Sequence, residues 1–398
     1  MEFGEFILAH DADDLVRLAL SRDRFKADAG DFDLALTTLE VRRKLRGKVP
    51  EWVAVPSLRY PSRLSAQQCS SSETARYKAS VALAACSGAA LADLTGGLGV
   101  DSWAFAHVFG EVLYNEMKAD LAQAAEHNFR ELGLANIRSR CRELSPGGIG
   151  DVLGDFRPDI LFLDPARRAA DGRKVFRLED CRPDVLQLLP ELLDACPLVL
   201  LKLSPMADVT LVCKQLGCVK QVHVVAAGGE CKELLLLLEK GYEGARRLFI
   251  VEDAAVQEIP DPDQKVPAEP GGKRPLPKYL FEPGKALLKA GAFDWPCRFG
   301  LAKLGRHTHL YIGPEAVEEL TPFGKWFRIL ETMPLNKRTL REVAAGYPQA
   351  DVTARNIPLT SDQLCARLKV RSGAGIHIFG LHDDFARADC LYVCAREG

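Results

Sequence analysis

The 398-residue sequence lacks several features that would each indicate a particular class of protein. Its 12 cysteines form no Cys-x-x-Cys pair and its 8 histidines are scattered singly. The sequence therefore lacks the usual ligand spacing of a zinc site and the cysteine pattern of a small disulfide-linked scaffold. Every apolar run is of strand length, too short for a transmembrane helix. The formal net charge is −2, so an attraction to nucleic acid must come from local patches.

The composition is that of an ordinary globular protein. Apolar residues make up 47% and charged residues 27% of a chain long enough for two or three domains. The first residues, MEFGEFILAHDADD, are acidic and lack the basic and then apolar order of a secretion signal. We therefore expect a cytoplasmic protein with reduced thiols, without a membrane or metal partner.

The spacing of apolar residues changes twice along the chain. Up to about residue 80, segments such as FDLALTTLEVRRKL and SSETARYKASVALAA have helical spacing. The next 160 residues alternate short apolar runs with helical or polar stretches, which predicts a mainly parallel, doubly wound α/β sheet covered on both faces. The Pro- and Gly-rich stretch 252–283 predicts a boundary or a long loop, and the mixed signals after it predict α+β modules.

The sharpest local signal is LADLTGGLGVDSWAFA, in which an apolar strand ends at Asp93 before a loop with Gly97 and Gly99. Glycines at the carboxyl end of a parallel strand let the backbone approach a ligand. The spacing D-x-x-x-G-x-G differs from the G-x-G-x-x-G that holds a pyrophosphate. Glu116 ends the next strand 23 residues after Asp93 (116 − 93), close to the ~20 residues at which a carboxylate can bind ribose hydroxyls. This pattern predicts a site for a nucleoside-bearing ligand without a diphosphate.

The motifs DLTGGLGVD, NEM and LFLDPARR resemble, in order and spacing, those of the class I S-adenosylmethionine-dependent methyltransferases over residues 68–240. The resemblance implies a Rossmann-like methyltransferase domain that binds S-adenosyl-L-methionine. Gly97 and Gly99 would line the methionine part of this cofactor, Asp93 would contact its amino end and Glu116 would bind its ribose.

The same resemblance makes Thr95, Glu143, Thr74 and Lys78 further candidates for cofactor contact. Thr95 belongs to the glycine loop, and Glu143 follows the candidate third strand IRSRCRE, where it would lie near the adenine or simply be solvated. Thr74 and Lys78 could close over the cofactor's carboxylate. The alternative is that SSETARYK is an ordinary, well-capped helix start.

The motif LFLDPARR carries the predicted acceptor chemistry. Amino-methylating members of the class end the fourth strand with Asp or Asn, two prolines and an aromatic residue, which hold an exocyclic amine in line with the methyl group. This chain keeps Asp164 and Pro165, the predicted catalytic residues, but has Ala166 and Arg167 in the last two places. Arg167 and Arg168 suit a nucleic-acid substrate, because guanidinium groups stack on bases and bind phosphate, and they equally suit a surface ion pair.

Other activities remain open. DPAR also resembles the motif of uridine-C5 RNA methyltransferases, but Ser204 stands where these enzymes have a cysteine, and serine is a much poorer nucleophile. DLTGGLGVDSWAFA is similar to the glycine motif of small-subunit ribosomal RNA guanine-N2 methyltransferases, which favours an exocyclic amine as the methyl acceptor.

The alternatives to RNA methylation are a methyltransferase of a small molecule or protein, and a non-catalytic RNA-binding protein that keeps the fold. The glycine spacing disfavours a nicotinamide dehydrogenase.

Outside this core, LSAQQCSSSETARYKASVALAA and the C-terminal run from WFRILETMP to GIHIFG resemble a bacterial group of these enzymes with a THUMP-like C-terminal domain. KYLFEPGKALLKAGAF resembles a ferredoxin-like insertion of that group. The implied organisation is a helical region 1–75, a methyltransferase domain 76–242, a ferredoxin-like module 243–324 and a THUMP-like domain 325–398. The resemblance implies RNA, ribosomal or transfer, as the partner. Its phosphates could contact four basic residues, which could equally form a solvated face: Arg355, Arg367, Lys369 and Arg371.

Overall fold

The computed structural model describes residues 2–22, 32–167, 177–262, 276–373 and 375–397. The chain divides into two compact units. The first comprises Met1–Val222 and Leu234–Ala245, and the second comprises His223–Glu233 and Arg246–Gly398. The chain thus passes between the units within one β-hairpin, and neither unit is a continuous piece of sequence.

Helices form the amino-terminal part of the first unit, as the apolar spacing predicted. They are α1 (Phe3–His10), α2 (Leu15–Leu20), α3 (Phe32–Leu45), α4 (Pro50–Val53), α5 (Arg63–Gln68) and α6 (Ser72–Ala85). The first three helices share a small buried core of Phe6, Ile7, Leu18, Phe32, Ala35 and Leu39. Asp14 caps α2 and Ser71 caps α6, so the helix starts are specified locally by side chains that accept backbone N–H groups.

A twisted sheet follows, with helices between its strands. Its elements are β1 (Ala90–Asp93), α7 (Val100–Ala106), β2 (Glu111–Asn115), α8 (Ala119–Glu131), β3 (Ile137–Arg140), α9 (Ile149–Leu153), β4 (Ile160–Leu163), α10 (Val185–Ala195), β7 (Leu198–Leu203), α11 (Val209–Leu216), β8 (Val219–Ala227) and β9 (Glu230–Glu239). A separate two-stranded ribbon, β5 (Ala166–Arg167) and β6 (Cys181–Arg182), interrupts this series.

The strand order in the first unit is β8-β9-β7-β4-β1-β2-β3. The five strands from β7 to β3 are parallel to one another, and β9 runs antiparallel to β7. β4 is buried along its whole length, as expected for a strand covered on both faces. The doubly wound α/β class predicted from the sequence is therefore confirmed, with an antiparallel hairpin added at one side.

The second unit contains the hairpin end of β8 and β9 together with the antiparallel pair β10 (Arg247–Glu252) and β11 (Ala255–Ile259). It also holds a seven-stranded sheet in the order β13-β14-β12-β15-β18-β17-β16. The elements are β12 (Tyr279–Pro283), α12 (Lys285–Ala290), β13 (Ala302–Lys303), β14 (Tyr311–Gly313), β15 (Gly324–Pro334), α13 (Lys337–Gly346), β16 (Asp351–Arg355), α14 (Ser361–Leu368), β17 (Ile376–Asp383) and β18 (Ala388–Arg396). Short 3₁₀ turns occupy Leu178–Asp180, Pro296–Phe299 and Glu318–Phe323.

The sequence predicted a domain boundary or a long loop within the stretch 252–283. This stretch contains β11 and β12, while residues 263–275 lie outside the described part of the chain. β11 escaped the sequence analysis because the middle of its sequence, AVQEI, is exposed and polar, so the strand lacks an apolar alternation. Among the described helices, none has both the length and the apolar character needed to span a bilayer.

Candidate active site

Three acidic side chains meet at the carboxyl edge of the parallel sheet because of its register. Asp93, the last residue of β1, lies beside Tyr114 of β2 and Phe162 of β4. Glu116 and Asp164 follow those two neighbours by two residues each. The ends of parallel strands share one edge, so the acids that the sequence placed at three strand ends are brought to the same rim.

The Asp93 carboxyl is completely buried. Ser102 Oγ donates a hydrogen bond to its Oδ2 at 2.6 Å, and the Thr95 backbone N–H donates to its Oδ1 at 3.1 Å. Burial raises the pKa of Asp93 to about 8, the charges of Asp101 and Asp164 also raise it, and the two hydrogen bonds offset part of this rise. Among the described residues, no Lys or Arg pairs with Asp93. A bound cation at this carboxyl would therefore convert it to the carboxylate.

The glycine loop requires its glycines for two different reasons. Gly97 (φ 54°) and Gly99 (φ 92°) both adopt the left-handed conformation that other residues rarely take. A Cβ on Gly99 would lie 2.7 Å from Phe129 Cζ, so this glycine allows core packing. A Cβ on Gly97 would meet only the Thr95 carbonyl, at 3.9 Å. Gly97 therefore borders open space at the strand edge, where a ligand can approach the backbone.

Glu116 is held rigidly against this loop. Its Oε2 accepts the Gly97 N–H at 3.0 Å and its Oε1 accepts the Lys118 N–H at 2.9 Å. The Tyr114 hydroxyl donates to the Gly97 carbonyl at 2.6 Å, which fixes the other backbone polar group of the same residue. Each carboxylate oxygen retains a further lone pair that can accept a hydroxyl hydrogen. The arrangement gives a pre-oriented acceptor beside an open backbone turn.

Asp164 forms an ion pair that the sequence analysis missed. Lys202 Nζ lies 2.5 Å from Asp164 Oδ2, because Leu163 of β4 pairs with Leu201 of β7 and the next residues fall side by side. The backbone N–H of Asp164 donates to Thr95 Oγ1 at 2.6 Å. Thr95 therefore links the glycine loop to the end of β4. The one available sequence signal was a lysine inside the otherwise apolar strand LVLLKL.

Residues around the DPAR motif occupy a short ribbon. Pro165 is buried, and Ala166 pairs with Arg182 across β5 and β6. Glu143 Oε1 lies 3.3 Å from Arg182 Nη2, and both side chains are exposed. The structure thus brings Glu143 to the ribbon, by way of this surface ion pair. Of Arg167 the structure describes the backbone pairing with Cys181, and Arg168 lies outside the described residues.

The helix that precedes β1 contributes a buried ionic group. Lys78 is fully buried, and its Nζ donates to Ser70 Oγ at 2.9 Å and lies 3.2 Å from Asp101 Oδ1. Ser70 Oγ donates to Asp101 Oδ2 at 2.9 Å. Thr74 N–H donates to Ser71 Oγ at 3.2 Å in the capping box of α6. In the described structure Thr74 is therefore the partner of the Ser71 cap in the capping box of α6. Lys78 pairs with Asp101, the residue before the serine that donates to Asp93.

The described parts of the chain offer no evident set of metal ligands. No group of three or more His, Cys, Asp or Glu side chains there is arranged to hold a metal ion.

The whole chain resembles a known structure. It matches the crystal structure of a candidate methyltransferase from Porphyromonas gingivalis W83 with a TM-score of 0.84 and 29% identity, over 100% of this chain and 98% of that one. The chain has the methyltransferase fold. Two family matches lie beyond that fold's sheet: a ferredoxin-like domain over residues 279–320 and a THUMP domain-like match over residues 324–396. The predicted class of methyltransferase fold with a THUMP-like carboxyl-terminal part is confirmed.

Other methyltransferase structures are similar over part of the chain only. A 16S rRNA N2 methyltransferase from T. thermophilus, in complex with AdoMet and guanosine, is 13% identical with a TM-score of 0.30, over 51% of this chain and 43% of that one. A tRNA methyltransferase from B. subtilis is 14% identical with a TM-score of 0.31, over 42% and 65% of the two chains. No curated protein matches the sequence.

Proposed function

We propose that this protein transfers a methyl group from S-adenosyl-L-methionine to RNA, at an exocyclic base amine such as guanine N2. The observation that carries the proposal is the grouping of Asp93, Glu116 and Asp164 around the open turn at Gly97, in a chain that matches a candidate methyltransferase over its full length. The grouping offers separate places for a cationic ligand, a ribose and an amine.

The residues present fit the cofactor. Asp93 is a buried carboxyl without a described cationic partner, which suits the ammonium of the methionine part. The open backbone at Gly97 suits the same part of the molecule, and the fixed Glu116 carboxylate suits the ribose hydroxyls. The cofactor supplies an electrophilic methyl group on a sulfonium. The protein then contributes by positioning the acceptor for this methyl group and by excluding water.

Asp164 and Lys202 would act on the acceptor. The Lys202 ammonium holds Oδ2 of Asp164, and Thr95 Oγ1 accepts the backbone N–H of the same residue, so the carboxylate and the backbone of Asp164 are each held by one partner. An oxygen of Asp164 and the carbonyl after it can accept both N–H groups of an amine and direct its lone pair towards the methyl group. The amine gains the methyl and releases one proton to solvent. Asp164 therefore aligns the acceptor, and Lys202 positions Asp164.

RNA is the proposed substrate because of the carboxyl-terminal part. The THUMP domain-like match covers residues 324–396, and modules of this kind suit substrate recruitment by a methyltransferase. Ser204 stands after β7 with its Oγ accepting the Met206 N–H at 3.3 Å. A serine engaged in a turn is a poor substitute for the thiolate that carbon methylation of uridine requires, which favours the amine.

The test is transfer of labelled methyl from S-adenosylmethionine to separated RNA, protein and metabolite fractions from a strain that lacks the gene. We expect label in RNA with the unaltered protein. Asp164→Ala should abolish transfer while cofactor binding persists, and Asp155→Asn, on an exposed carboxylate, should retain both. Label confined to protein or metabolites would refute the RNA assignment. Cofactor binding without label in any fraction would indicate a binding protein that keeps the fold.

A further inference from the structure

The second unit contains a cavity of about 340 Å³, a size typical of small-ligand sites. It lies where the loop between β13 and β14 approaches the end of β16. Apolar side chains, including Leu288 and Leu310, line one part of it. The polar lining consists of Glu282 from β12 and of five residues from the two segments, His307, Thr308, His309, Arg355 and Asn356.

Two lining residues adopt a backbone conformation that side chains disfavour. His309 has φ 49° and Asn356 has φ 55°. The left-handed conformation brings the Cβ of such a residue close to its own backbone and therefore carries a steric cost. Buried Thr308 holds the loop in place, because its Oγ1 donates to the His382 carbonyl at 2.8 Å. Strained residues of this kind concentrate at ligand sites, and here two from different segments face one cavity.

The charged side chains that line the cavity balance each other within one ion pair. Glu282 is the one acidic residue among those that line it, and its Oε1 is paired with Arg355 Nη2 at 3.0 Å. The guanidinium of Arg355 carries five N–H donors, so this pair leaves donors for a second acceptor. Burial, followed by the charges of Lys303, His307 and Arg355, lowers the pKa of His309. The donors that this space offers to an anion are therefore the N–H groups of Arg355 that Glu282 does not use.

One polar atom of the wall has no hydrogen-bond partner among the described residues. His309 Nδ1 is buried and unsatisfied, although its ring stacks on Phe293 with centroids 3.9 Å apart. Buried polar atoms are nearly always paired in folded proteins, so such an atom beside a cavity marks a place where a ligand can complete the bonding. The site therefore combines cationic donors, an imidazole nitrogen, an amide and an apolar wall.

We infer that this cavity binds a nucleotide. Its phosphate would contact Arg355 and His307, and its base would lie along the apolar wall within reach of Asn356 and His309. The same chemistry is presented by a nucleotide within RNA and by a free mononucleotide. This inference does not depend on the proposed methyl transfer, because the second unit carries all of the residues that support it.

The experiment measures binding to the full-length protein without S-adenosylmethionine. The probes are AMP, GMP, CMP and UMP, the corresponding nucleosides, inorganic phosphate, and 5′-phosphorylated RNA trinucleotides. We expect saturable binding of a phosphate-bearing probe, at least tenfold tighter than the matching unphosphorylated one. Arg355→Gln should weaken it about tenfold or more, since a charge-assisted hydrogen bond is lost. Binding of mononucleotides would identify a free nucleotide, and binding of the trinucleotides alone would identify RNA.

Two further variants keep the test decisive. Arg355→Gln leaves Glu282 without its partner and could disturb the fold, so His307→Gln, on an exposed side chain, should weaken binding independently. Arg341→Gln, on an exposed side chain of α13, is the matched control and should bind normally. The inference is overturned if no probe saturates, if nucleosides bind as well as nucleotides, or if the control loses as much affinity as the two cavity variants.

Discussion

The buried carboxyl of Asp93 predicts an unusual dependence of stability on pH. Its pKa is raised from 3.8 in the unfolded chain to about 8 in the folded protein. Between these values the folded state binds more protons than the unfolded state, so the free energy of unfolding falls as pH rises through the folded pKa. Asparagine has the same shape and does not titrate. From pH 6 to pH 9 the wild type should lose about 2–3 kcal/mol relative to Asp93→Asn, that is about two pH units at ~1.4 kcal/mol each.

The comparison is made by urea unfolding of both proteins at several pH values between 6 and 9. The quantity compared is the difference between the two proteins in free energy of unfolding at each pH, because every other titrating group is common to both. Asp155→Asn, on a side chain that is 77% exposed, serves as the control and should stay parallel to the wild type. Parallel curves for the wild type and Asp93→Asn would show that Asp93 is ionised throughout this range. The account of its burial would then be wrong. Addition of S-adenosylmethionine should reduce the difference if an ammonium binds there.

Three further predictions concern the same rim of the sheet. Lys202→Met should lower the rate of methyl transfer about 10- to 100-fold with little change in cofactor affinity, because Asp164 loses the group that positions it. Lys202→Arg should recover part of the rate. An unchanged kcat in Lys202→Met would exclude Lys202 as a positioning residue. Gly99→Ala should lower the free energy of unfolding in urea by about 2 kcal/mol, because the new Cβ would lie 2.7 Å from Phe129 Cζ and the residue would have φ 92°. An unaltered free energy of unfolding would contradict this packing. Gly97→Asp should abolish cofactor binding measured by calorimetry, and a normal isotherm would refute the proposed pocket.

The positions of the rim acids could be predicted because each follows an apolar run. Asp93 ends β1, Glu116 and Asp164 come directly after β2 and β4, and the alternation of strands with helices places such ends on one edge. The glycine spacing predicted that a ligand can approach the backbone of this loop, and the space beside Gly97 is open. The partner of Asp164 could not be predicted, because it depends on which strand lies beside β4 and in what register. Lys202 comes 38 residues later and is paired only by that register.

Other pairings are equally non-local. Lys78 lies nearly two turns into α6 and Asp101 at the start of α7, and no periodicity relates them. Arg355 was grouped by sequence with three other basic residues as an RNA-binding face, with a solvated face as the alternative. In the structure it pairs with Glu282, which lies 73 residues earlier, and it lines a cavity. Local chemistry thus identifies which residues are unusual, whereas tertiary contacts decide what they do.

The path of the β8–β9 hairpin restricts how the protein can be synthesised and divided. In the first unit β9 lies between β8 and β7, and it pairs with all six residues of β7 from Leu198 to Leu203. A nascent chain that ends at Val222 therefore has β7 with an open edge, which is a template for aggregation until the ribosome has added the returning strand. A soluble fragment of the first unit must extend to Ala245 and carry the hairpin tip, although those tip residues belong to the other unit.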